Sequence, residues 1–127
     1  MASRRRPPTP TPKKKATDGE VVLVLSTAPS EEVAASLART LVDEHLIACA
    51  NLVPQARSIY RWQGAVQDEA EVLVLMKTQS ARLAALEARL NALHPYQVPE
   101  MLVFPATSGH GPYLAWVLAE TTPPKGV

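Results

Sequence analysis

A single cysteine, Cys49, rules out an intramolecular disulfide framework, and an unpaired thiol fits a reducing compartment. No apolar run approaches the ~20 residues of a membrane helix, so no membrane span is expected. The three histidines lie at 45, 94 and 110, so no His-x-x-x-His spacing exists, and one cysteine cannot make Cys-x-x-Cys. The chain therefore carries no self-sufficient metal motif. A Gly-rich phosphate loop is also missing. Ser26, Ser58 and Cys49 have no histidine and carboxylate at a recognisable catalytic spacing, which argues against an enzyme. The aromatic pattern of RNA-reading sheets is absent, so nucleic acid is not the expected partner.

Charge of one sign is scarce overall, with a formal net charge of +1, but it is unevenly placed. Arg4, Arg5, Arg6, Lys13, Lys14 and Lys15 against Asp18 and Glu20 leave +4 in the first twenty residues. The rest of the chain is therefore mildly acidic. Four of the twelve prolines also fall in this arm. Such a segment buries too little apolar surface to offset its ordering entropy. Residues 1–19 read as a disordered basic tail, 20–121 as one folded domain and 122–127 as a frayed C-terminal tail. The expected location is the cytoplasm, or an organelle if residues 1–19 are a targeting segment.

Within the domain, residues 20–27 form a continuous β-branched and aliphatic run, as in a strand covered on both faces. Ser30 is a good N-cap, with Glu31 and Glu32 at the positive end of the helix it opens. Val33, Leu37, Leu41 and Val42 recur at helical spacing, and this helix should end near His45. His45 is read as structural, its charge favoured at that helix end. Residues 46–53 read as a second strand and 58–62 resume it, placing Pro54 at a bend, bulge or edge. Gly64 lies in a short turn before a long strand over 69–78, which together make a β-hairpin. Ser80 is expected to cap a helix carrying the stripe Leu83, Leu86, Leu90 and Leu93. A strand over 101–106 follows, then a connector holding His110, a weak surface ligand at most. Pro112 suits the first position of a short helix over 113–120.

The order βαββαβ plus an extra helix predicts an α+β, ferredoxin-like sandwich. Right-handed crossovers put both long helices on one sheet face. The strands are nevertheless apolar at nearly every position. The second face then needs a cover, and another copy of the chain is the natural one.

His94-Pro95-Tyr96-Gln97-Val98-Pro99-Glu100 is the chemically richest connector. Two prolines stiffen it, and it offers an imidazole, a phenol, an amide and a carboxylate. Together with Thr27-Ala28-Pro29, Leu46 to Asn51, Ser58 to Gly64, Glu71, Lys77-Thr78 and Tyr113 to Trp116, it makes the chain resemble the CutA family of divalent-cation tolerance proteins. These segments span the folding region in order. The resemblance implies a ferredoxin-like protomer in a homotrimer similar to PII signalling proteins, a role in tolerance of divalent metals, copper in particular, and no secure enzymatic activity. It implies a copper ligand at His94. The family's second ligand, a cysteine, is replaced here by Ser26, and a second histidine by Leu93. Any ion would then use His94, helped by Cys49 or Glu100. Animal relatives are linked to anchoring of acetylcholinesterase, so the alternative is a scaffold or small-ligand signalling trimer that anchors a partner protein. Cys49 itself reads first as a small core hydrophobe. Tyr60, Trp62, Lys77, Tyr96 and Trp116 are expected to line a cleft or trimer interface, with Lys77 and Glu100 paired or in the same cleft.

Overall fold

The computed structural model describes residues 19–123. The basic tail, apart from Gly19, and most of the C-terminal tail lie outside the described residues.

The elements run β1 (Val21–Ala28), α1 (Glu31–Asp43), β2 (Cys49–Trp62), β3 (Ala65–Gln79), α2 (Leu83–Leu93), β4 (Leu102–Pro105) and α3 (Gly111–Glu120). The sheet order is β2-β3-β1-β4, with every neighbouring pair antiparallel. This is the ferredoxin-like arrangement that the element order predicts.

Ser30 caps α1 as expected, its hydroxyl accepting from the Val33 N–H at 3.2 Å. Ala34, Leu37 and Leu41 face the core, whereas Val42 turns to solvent. Leu86 and Leu90 of α2 meet them over Val22, Val24, Val72, Val74 and Met76. Even-numbered residues of the central strands thus form the helix-covered face.

The expectation for Ser80 is not met. Residues Ser80–Arg82 form a 3-10 turn, and the Ser80 hydroxyl donates to the Glu20 carbonyl instead of capping α2. That bond and the Ser80 N–H to the same carbonyl tie the chain back to the start of β1. Residues 46–48 are also loop rather than strand, because the Leu46 and Ile47 N–H groups turn back to the Leu41 carbonyl.

Pro54 sits where the β2–β3 register shifts, between Val53 and Ala56, with Gln55 at φ 65°. The strand survives because β2 is an edge strand, where a missing ladder donor and a bulge are tolerated. Beyond this point the hairpin leaves the sheet. Residues Val72 to Gln79 pair with β1, whereas Ala65 to Glu71 pair with β2 alone. A two-stranded arm therefore projects, with Ile59 and Val66 each 63% exposed.

The second sheet face is only partly covered. α3 packs Val117, Leu114 and Leu118 on Val21 and Ala48 at one end. Cross-strand partners share a face. Leu102 is opposite Leu25, Leu25 opposite Leu75, Phe104 opposite Leu23, and Leu73 opposite Val53. This apolar surface is half-buried in its centre and exposed at Leu102, Phe104 and Val53. The need for a cover inferred from two-sided strands is thus visible in the single chain.

Candidate functional site

The connector after α2 wraps the C-terminal end of β1 and is anchored there by His94. The imidazole is 7% exposed. Its Nε2 lies 2.7 Å from the Thr27 carbonyl oxygen, and its Nδ1 accepts the Tyr96 N–H at 3.1 Å. An acceptor at Nδ1 and a carbonyl at Nε2 assign the proton to Nε2. Both ring nitrogens are thereby engaged. The His94 and Tyr96 rings lie 4.7 Å apart, tilted by 46°.

Tyr96 passes the constraint onward. Its hydroxyl donates to Glu71 Oε2 at 2.6 Å. Glu71 is 7% exposed, an unusual setting for a carboxylate. Its other oxygen, Oε1, has no hydrogen-bond partner among the described residues. Burial raises the Tyr96 phenol pKa well above its ordinary value, and the bond to Glu71 and the nearby carboxylate charge add to the shift. Tyr60 is shifted the same way by burial, then by Glu69 and Glu71.

These groups line a cleft of about 770 Å³. Its lining includes Thr27, Tyr60, Trp62, Glu71, Tyr96 and Glu100. The projecting arm supplies one wall and the His94 connector the other. Arg57 also borders the cleft, but its guanidinium is held bidentate by Asp68 at 2.8 and 2.6 Å.

Three residues lie away from this cleft, leaving Lys77 and Trp116 only the interface half of their expectation. Lys77 neither pairs with Glu100 nor lines the cleft; its ammonium donates to Asn51. It lies six residues along β3 from Glu71, about 20 Å at strand rise. Trp116 is likewise remote, exposed on α3 and 5.7 Å from the Tyr113 ring. Cys49 is not a core hydrophobe but half-buried, its Sγ 3.6 Å from the Tyr113 hydroxyl. That contact, with burial, raises the Tyr113 phenol. Cys49 cannot serve His94 as a fellow ligand within one chain. It is opposite Lys77, which is opposite Leu23, four residues along β1 from Thr27. The offset is about 13 Å along the strands, with two further strand spacings across. Ser26 is buried and bonds the neighbouring Thr27 carbonyl at 3.5 Å.

His45 holds the structural place expected of it, with Nδ1 3.0 Å from the Glu120 carbonyl oxygen, joining the end of α1 to α3. His110 is exposed at the start of α3. Among the described residues no three His, Cys, Asp or Glu side chains are grouped to hold a metal ion. Glu71 is the site residue that residue-by-residue reading passes over. Its one signal is a carboxylate directly before the apolar run Val72 to Met76.

The model of the CutA1 divalent ion tolerance protein family matches residues 22–120. The chain belongs to the CutA1 family. It is 49% identical over 102 residues to the divalent-cation tolerance protein CutA of Thermus thermophilus, covering 80% of this chain and 97% of that one. It is 40% identical over 121 residues to the human protein CutA, covering 92% and 68% respectively. The solved Thermus thermophilus structure superposes with a TM-score of 0.78 at 47% identity, over 80% of this chain and 99% of that one. The CutA1 structure from Oryza sativa gives 0.80 at 37% identity, over 83% and 96%. The family is named for tolerance and not for a reaction.

Proposed function

We propose that this CutA1 protein acts in tolerance of divalent metal ions as a non-catalytic homotrimer of the cytoplasm. Family membership supports the tolerance role, and the single unpaired cysteine supports the compartment. The observation that carries the assembly is the apolar sheet face of Leu23, Leu25, Leu73 and Leu75, left half-covered by α3. A surface of that kind marks an interface. The exposed edge strand β4 and the projecting arm supply the matching edges.

Copper is the proposed ion, and its site is proposed to be completed between subunits. His94 is the proposed ligand, with Glu100 as candidate helper, and His94 must release the Thr27 carbonyl to bind through Nε2. The test is calorimetric titration of Cu²⁺ into chelator-stripped protein of measured mass, wild type against His94→Ala. One ion per subunit, lost in His94→Ala, is the expected result. Equal affinity in both proteins would remove His94, and no binding would leave the scaffold or small-ligand reading.

A further inference from the structure

The cleft between the arm and the His94 connector combines features that a metal site does not need. Three aromatic side chains, Tyr60, Trp62 and Tyr96, line it beside two carboxylates, Glu71 and Glu100. Glu69 adds a third negative charge within hydrogen-bonding reach of Tyr60. The cation at its border, Arg57, is already neutralised by Asp68. Lys77 is about 20 Å away along β3. The cleft is therefore electronegative.

The Glu71 carboxylate is the most buried charged group among its walls. Tyr96 satisfies Oε2, and Oε1 has no partner within the described chain. Oε1 is thus open to the cleft, where an incoming cation can meet it directly. The ring walls decide which cation. A small divalent ion holds its water tightly and takes oxygen ligands, gaining little from apolar rings. An alkylated ammonium is weakly hydrated, and the negative ring faces of Trp and Tyr attract it. Its bulk also matches a wide aromatic cleft better than a bare ion does.

We propose that this cleft is a binding site for a small organic ammonium cation, held by the Glu71 carboxylate and enclosed by Tyr60, Trp62 and Tyr96. The site stands on the cleft's own chemistry and does not depend on the metal-tolerance reading. Tyr96 has a double role: its ring forms a wall and its hydroxyl orients Glu71. His94 acts through Tyr96, fixing the connector from which that ring projects.

The test uses tetramethylammonium as the probe on the full chain in its native assembly. A Trp116→Phe background leaves Trp62 as the sole indole reporter. Saturable quenching of Trp62 by tetramethylammonium is expected. Neutral tert-butanol, and sodium at equal ionic strength, should produce no saturation. Glu71→Gln keeps an acceptor for Tyr96 but removes the charge, and should weaken binding about tenfold or more. Trp62→Leu, read by calorimetry, should do the same and serves if Glu71→Gln fails to fold. Equal binding of tert-butanol would overturn the proposal. So would unchanged affinity in both variants, or a Trp62 response to Mn²⁺ with none to tetramethylammonium.

Discussion

Replacing Tyr96 by Phe keeps the ring and removes one oxygen atom. In the folded chain that atom donates to the largely buried Glu71 carboxylate at 2.6 Å. Hydrogen bonds to a charged partner contribute about 1.5–3 kcal/mol when broken. Glu71 borders the cleft, so water reaches part of the vacated position and offsets part of the loss. The expected cost is therefore near the lower end, about 1.5–2 kcal/mol. Urea unfolding at fixed protein concentration measures it, because subunit association contributes to the midpoint. Glu71→Gln alone exchanges a charged acceptor for a neutral one and should cost less. In the double variant the two effects should be non-additive, since Glu71→Gln weakens the same hydrogen bond that Tyr96→Phe removes. A Tyr96→Phe protein within about 0.5 kcal/mol of wild type, or simple additivity of the pair, would refute the assignment.

Alkaline pH probes the same hydrogen bond. The raised Tyr96 phenol keeps its proton in the folded state while the unfolded phenol loses it near its ordinary value of about 10. The unfolded state then binds fewer protons, so stability should fall as pH rises above about 10. Tyr96→Phe should flatten that fall without abolishing it, because Tyr60 and Tyr113 are shifted the same way. Leu86→Ala empties a fully buried site between α2 and the sheet and should cost about 2–5 kcal/mol in the same urea assay. Ser30→Ala removes the cap on the Val33 N–H and should cost about 1 kcal/mol, with helix content by circular dichroism unchanged below the transition.

Much of the fold was legible because the periodicities are clean. The α2 leucines fall at steps of three, four and three, and the two-sided apolar strands announce a sheet needing a second cover. Pro54 was legible as punctuation, and the register shift beside it is its geometric form. The fine start of α2 was not legible. A serine before a helical stripe is a capping signal, but here the Glu20 carbonyl, beside it at the start of the neighbouring strand, competes for its hydroxyl.

The cleft was legible in part for a similar reason. Tyr60, Trp62, Tyr96 and Glu100 announce themselves by residue type in stiff or hairpin segments. Lys77 lies away from this cleft, and Cys49 away from His94, because strand register, invisible in one sequence, places both toward the far end of the sheet. The engagement of both His94 nitrogens was also hidden, since one partner is a carbonyl 67 residues away. The chemical role of Glu71 was not legible because a carboxylate in a strand usually faces water, and only the folded connector brings Tyr96 onto it.

The proposed assembly rests on the apolar face of Leu23, Leu25, Leu73 and Leu75 being an interface between copies of this chain. Light scattering coupled to size exclusion tests it directly. A mass of three times the 13.7 kDa chain, holding on dilution, is the expected result. A stable mass of one chain, with the face open to solvent, would contradict it.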